Sequence, residues 1–308
     1  MTGLVLCASV AVAQIGGEPG AYSRMGFSAR GIAMGNAMTA VATGDVVSYY
    51  NPAVVPWIGY RSASVSYGIL SLDRQLNTLS YGVGLKPSAG LSVGIINAGV
   101  SDIDGRDSDG NQTGSLQTSE NQIFLGFGIR FPAGWSAGLN IKLLYYNLYS
   151  SVNSLTVGLD FGVLAPLSDD FTVGLTIRDL NSKYKWDTST LFGQQGQSVE
   201  DKFPLLYTVG AAWALPDSFG LVSAEIEVSN VKSLFARAGI EVPVIPELTL
   251  RAGIDRIDLR EKGSGIKPSF GFTLAKNLDS WTPCLNYAFV LEPFSPGGIH
   301  IVSLGVRF

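Results

Sequence analysis

The sequence predicts an all-β protein: a 14-stranded antiparallel transmembrane β-barrel with an N-terminal plug segment in its lumen. Three observations predict it. The chain is oily yet holds no helical membrane span: 46% of its 308 residues are hydrophobic and 15% charged, against about 25% charged in a soluble domain, and no run approaches the 18 apolar residues a spanning helix needs. From residue 62 onward, apolar and polar residues alternate with a period of two, in segments about ten residues long, as tilted membrane strands do. The connections alternate between tight turns and long polar loops, as in barrels with short periplasmic turns and long outer loops. The 5 Trp, 12 Tyr and 15 Phe exclude disorder. A formal net charge of −4 excludes a nucleic-acid footprint.

Residues 1–13 read as an incomplete signal peptide. Leu4–Ala13 is apolar and Ala11-Val12-Ala13 fits a cleavage site before Gln14, although Lys and Arg are missing. Cys7 follows a large Leu6 and is a poor lipoprotein site. Without it Cys284 stands alone, so neither an internal disulfide nor a zinc cluster is expected.

Residues 14–61 lack alternation and are rich in Gly, Ala, Ser and Met, which suits a hatch folded into a lumen too wide for wall side chains to fill. Asn51-Pro52 is a turn signal before Ala53, and Asp45, Ser48 and Asn51 offer side chains to backbone N–H groups inside the lumen.

Residues 62–308 supply the barrel. The expected strands are 62–70, 76–86, 89–98, 121–131, 135–147, 154–165, 170–180, 204–214, 221–230, 234–243, 247–257, 266–276, 283–292 and 299–308. In 121–131, Ile123, Leu125, Phe127, Ile129 and Phe131 share one face, and Phe124, Gly126, Gly128 and Arg130 the other. Charge falls on the polar face: Arg130, Lys142, Arg178, Arg237, Arg251 and Arg307 against Asp160, Glu225, Glu227, Glu241 and Asp255. Near balance on a face also rich in Gly reads as a paired, crowded lumen, with glycine where another backbone approaches closely. The long loops are 99–120, 181–203 and 258–265. Trp135, Trp213, Phe219, Trp281 and Phe308 fall near the opposite strand ends, as a periplasmic aromatic girdle would.

The last strand ends in Phe308, resembling the signal that the barrel-assembly machinery reads. Together with strand length and loops it points to the outer membrane of a Gram-negative bacterium, with outer-membrane lipid and that machinery as partners. Gly31-Ile32-Ala33-Met34-Gly35-Asn36-Ala37, Gly44-Asp45 and Tyr49-Tyr50-Asn51-Pro52-Ala53 resemble the N-terminal hatch of the FadL-like superfamily, and within it the PorV/PorQ family. Gly158–Gly162, Leu250–Gly253, Asn286–Phe289 and His300–Phe308 extend the resemblance over the mature chain. It implies fourteen strands and an association with type IX secretion, in which PorV-like members hand exported cargo to surface-attachment machinery.

No catalytic residue and no cofactor is expected. The one histidine, His300, sits at a strand end, and G-x-S-x-G, Walker and dinucleotide glycine motifs are absent. Asp102, Asp104, Asp107, Asp109 and Asn111 read as a solvated acidic loop, because Gly110 is misplaced for a calcium loop. Two functions stay open. One is docking of secretion-system proteins or exported cargo through the outer loops, with Tyr184, Trp186 and Phe192 as aromatic anchors. The other is a FadL-like channel passing hydrophobic small molecules around the hatch. A purely structural barrel is a third reading.

Overall fold

The computed structural model describes residues 15–45, 47–149, 152–260, 265–293, 295 and 297–308. The expected signal peptide lies outside them. Sixteen strands follow one another: β1 Ser62–Ile69, β2 Arg74–Leu85, β3 Ala89–Arg106, β4 Gln112–Arg130, β5 Ser136–Tyr149, β6 Val152–Pro166, β7 Phe171–Leu180, β8 Lys183–Asp187, β9 Ser198–Lys202, β10 Leu206–Leu215, β11 Gly220–Ser229, β12 Leu234–Ile245, β13 Leu248–Asp258, β14 Lys267–Ala275, β15 Thr282–Val290 and β16 Ile299–Arg307. All but β8 and β9 form one closed antiparallel barrel of fourteen strands. β1 closes it against β16, with Ser62 opposite Arg307 and Ile69 opposite His300. Closure removes the open sheet edge that lipid could not satisfy. No helix among the described residues is long and apolar enough to cross a membrane.

Alternation sets the two faces. Leu79, Ile95, Ile123, Leu125, Phe127, Ile141, Leu155 and Val209 are exposed on the outer face, an arrangement suited to lipid rather than water. Their strand neighbours point inward and are mostly small or polar. Trp135, Trp213, Phe219, Trp281 and Phe308 are likewise exposed at one rim.

Two loops differ from expectation. Residues 99–120 are mostly strand: β3 and β4 run on past the other strands and turn only at Asp107–Asn111. Their polar alternation there is water-facing, so the hydrophobic period that marks a membrane strand fades while the ladder continues. Residues 181–203 carry the separate hairpin β8–β9, with Trp186 opposite Val199.

Residues 15–45 and 47–58 lie against the inner face of the wall and are largely buried. A short helix, Ser28–Ala33, touches β13 to β16 and β1, while a 3-10 helix, Pro52–Trp57, touches β2 to β6. The segment reaches both sides of the ring because the wall yields backbone space. A Cβ on Gly138 would come 2.4 Å from Pro52, and one on Gly253 would come 2.1 Å from the Gly35 nitrogen.

Candidate functional site

The inner surface is organised around this segment. Asn51 caps the 3-10 helix, its Oδ1 accepting from the Ala53 N–H at 2.9 Å, while its Nδ2 donates to the carbonyls of Thr39 (2.7 Å) and Val163 (3.2 Å). One side chain thus ties two turns of the segment to β6, and Pro52 takes the first helical position, where its missing N–H is harmless. The Ala53 carbonyl accepts from Ser136 Oγ at 2.7 Å. Ser48 engages the wall through its backbone, its carbonyl accepting from Asn140 Nδ2 at 2.7 Å. Asp45 holds Arg307 with both oxygens, at 2.7 and 2.8 Å.

The inward charges form three groups. Arg237 binds Asp255 (2.6 Å), Glu225 (2.9 Å) and Glu227 (2.9 Å). Two of those carboxylates also reach the segment: Glu225 accepts from the Thr39 N–H and Asp255 from Asn36 Nδ2, each at 3.1 Å. Glu241 joins Arg251 (2.6 Å) to Arg30 of the segment (2.8 Å), whose Nη1 donates to the Thr43 and Asp45 carbonyls. Lys142 lies between Asp160 (2.6 Å) and Asp179 (2.5 Å). Asp179 is an inward charge that alternation missed. A bulge shifts the β6–β7 register between Leu159/Leu180 and Phe161/Ile177, so Arg178 and Asp179 both face inward. Asp179 takes a positive φ of 67° there, a conformation Asp tolerates better than most residues. Arg178 covers the Tyr49 ring at 4.6 Å. Buried charges are costly unless partnered and hydrogen-bonded, and in the first two groups these partners bridge wall to segment.

Arg130 keeps to the inner face, opposite the buried Ser136, but lies exposed at the end of β4, its guanidinium 4.7 Å from the Trp57 ring of the segment. One expectation is corrected. Tyr184 and Trp186 are buried, not presented to partners. They turn toward the barrel, with ring centroids 5.0 and 5.2 Å from Tyr146, and Tyr184 lies 4.9 Å from Phe203. The Tyr184 hydroxyl donates to Glu120 at 2.6 Å and the Trp186 indole N–H to Asp201 at 2.6 Å. Burial pushes the Tyr184 hydroxyl well above its ordinary pKa, so it stays a donor. The aromatics among polar residues signalled burial under a hairpin, a contact that single-strand periodicity does not reveal. Phe192 ends a short helix, Ser189–Phe192; its side chain lies outside the described part.

Between segment and wall near the outer mouth, a cavity of about 30 Å³ is bordered by Met25, Ile32, Leu76, Val290, Lys267 and Glu292, room for little more than a water. His300 pairs with the Tyr287 hydroxyl at 2.7 Å. In the acidic turn, Asp107 accepts from the N–H groups of Asp109 (2.9 Å) and Asn111 (2.8 Å), and Asp104 holds Arg106.

No protein-family model matches the chain, and no curated protein matches it. Solved structures do resemble it over nearly its whole length. The toluene transporter TodX of Pseudomonas putida is 14% identical, with a TM-score of 0.62 over 92% of this chain and 97% of that one. The CymD monoaromatic hydrocarbon channel is 12% identical, with a TM-score of 0.66 over 92% and 97%. A FadL homologue of Pseudomonas aeruginosa is 11% identical, with a TM-score of 0.61 over 91% and 98%. At such identities the likeness defines the fold: a FadL-like 14-strand barrel.

Proposed function

We propose that this chain is an outer-membrane channel for small hydrophobic molecules, its N-terminal segment acting as a plug that bars water and ions. One observation carries the reading: the barrel matches, end to end, structures described as a toluene transporter and a monoaromatic hydrocarbon channel. The interior supports it. A diffusion porin holds a water-filled lumen, whereas here the middle is occupied by buried aromatic and aliphatic side chains, with Phe27 5.5 Å from Phe124 and 5.3 Å from Tyr49. An apolar solute needs side chains to shift; an ion needs the whole plug to leave.

The docking role in type IX secretion that the PorV/PorQ resemblance implies is the weaker reading, because Tyr184 and Trp186 are enclosed beneath β8–β9. Outer-membrane lipid and the barrel-assembly machinery, reading Phe308, remain the partners we propose.

The test is uptake of isotope-labelled toluene by intact cells lacking the protein and by the same cells complemented with it. Several-fold faster uptake on complementation is expected. Equal uptake, with the barrel present in the outer membrane, overturns the channel reading. Deleting residues 14–56 separates plug from barrel: single-channel conductance in planar bilayers should rise, and unchanged conductance removes the plug.

A further inference from the structure

The outer face carries one feature that transport does not use. Across β1 to β5, directly opposed residues form an unbroken row: Tyr67, Asn77, Asn97, Asn121 and Tyr145. The row below it on the same face is wholly apolar: Val65, Leu79, Ile95, Ile123 and Leu143. The three amides are linked. Asn77 Nδ2 donates to Asn97 Oδ1 at 3.3 Å, and Asn97 Nδ2 to Asn121 Oδ1 at 2.7 Å and to Ser119 Oγ at 3.2 Å. The tyrosines at the two ends are 50% and 41% exposed.

Height places the row. Asn77 is eight residues from Leu85, Asn97 eight from Ala89 and Asn121 nine from Arg130, at the opposite ends of their strands. At about 3.3 Å per residue and a tilt near 40°, that is about 20–23 Å up, the top of an apolar band about 25 Å tall. The next row up is again neutral, with Gln75, Gly99, Ser119 and Asn147. At the same height on β10 and β11, eight residues from Leu215 and from Gly220, the exposed residues are Tyr207 and Val228, with no amide in the row. A general need for a polar border would have marked both arcs.

We propose that this row docks the neutral sugar headgroups of an outer-leaflet glycolipid. The two Asn97 N–H groups are spent within the row, while Asn77 and Asn121 each keep a second N–H and the amide oxygens a second lone pair, which matches vicinal hydroxyls, and an exposed tyrosine offers a flat apolar ring for a sugar's C–H face. Four strand spacings separate the tyrosines, about 19 Å, long enough for several linked sugars. Both rows are free of charge, so hydroxyls rather than phosphates are the groups recognised. Acyl chains of the same lipid would lie on the apolar row beneath. The inference rests on the outer-membrane reading, with β3 and β4 projecting outside.

The test uses the full chain, reconstituted in phosphatidylcholine liposomes with and without purified lipooligosaccharide, and native mass spectrometry after mild detergent extraction. Wild type should retain lipooligosaccharide. N77A/N97A/N121A should lose at least fivefold of it, with the gel mobility shift of the folded barrel unchanged. A second variant, Y67L/Y145L, keeps the amides and should lose at least twofold; it decides alone if the first does not fold. Equal retention by the variants, or retention undone by free glycerophospholipid, overturns the proposal. A chain that never inserts into liposomes overturns it together with the membrane reading, whereas insertion without retention overturns the docking row alone.

Discussion

The two sides of the inner wall hold the N-terminal segment by different means. Along β2 to β6 the contact is backbone against backbone: Pro52–Trp57 lies on Gly90, Gly128 and Gly138, whose missing Cβ atoms would each fall within 3 Å of it. Along β10 to β13 ion pairs are added to close backbone contacts at Gly239 and Gly253, through Arg237 with three carboxylates and through Arg30, Glu241 and Arg251. Close packing gains from many weak dispersion contacts and tolerates almost no added volume. The charged side shares that close approach, since a Cβ on Gly239 or Gly253 would fall 2.4 or 2.1 Å from the segment backbone, but it is also sensitive to the loss of one partner, which leaves the others buried without compensation. The same segment is therefore sensitive to size on both flanks and to charge on one.

Breaking the charged flank should have the largest effect. In Arg237→Met, Glu225, Glu227 and Asp255 lose their shared cation while remaining buried. Removing one partner from a buried ionic cluster typically destabilises by about 3–5 kcal/mol. The expected outcome is a barrel whose heat-induced gel shift occurs at markedly lower temperature, with raised ion conductance. An unchanged transition would show that the carboxylates find other partners and that the cluster does not hold the segment.

The packed flank should respond less, and to volume alone. Gly138→Ala places a methyl 2.4 Å from the Pro52 backbone, which must shift. Overpacking of this kind costs roughly 1–3 kcal/mol. Gly134→Ala is the control, since a Cβ there meets nothing within 4 Å although its positive φ of 91° adds local strain. If the two variants melt alike and conduct alike, the backbone contact contributes nothing specific and the contrast between flanks collapses.

These two flanks also divide what the sequence disclosed. Period-two alternation depends on neighbours along one strand, so all fourteen wall strands, most of their inward charges and the glycine-rich inner face were legible. Asn51-Pro52 was legible as a turn because its chemistry is local. What was not legible depends on contacts between strands. The bulge that brings Asp179 beside Lys142 inserts a residue without breaking apolar alternation further down β7. The burial of Tyr184 and Trp186 needs the hairpin β8–β9 to fold against Tyr146, far away in sequence. The asparagine row across β2 to β4 exists only in register, since each strand alone shows a single unremarkable polar residue.

The smallest effect belongs to the turn between β3 and β4, remote from both flanks. Asp107 accepts N–H bonds from Asp109 and Asn111, and the Asn111 backbone N–H, followed by its side chain, holds the Asp107 carboxyl below its usual range. The sign follows from that lowering. A carboxyl with a depressed folded pKa stabilises the turn at pH above the ordinary Asp value, and the contribution is lost as pH falls through the folded value. The carboxylate is fully exposed, so the effect is confined to the hairpin tip. Asp107→Ala should speed protease nicking at 107–111 at neutral pH, while wild type loses its protection only in acid. The barrel's melting transition should stay where it is in both, because no lumen contact passes through this turn. Equal nicking of the two at neutral pH would show that Asp104, which binds Arg106 and Gln112, sets the turn without Asp107.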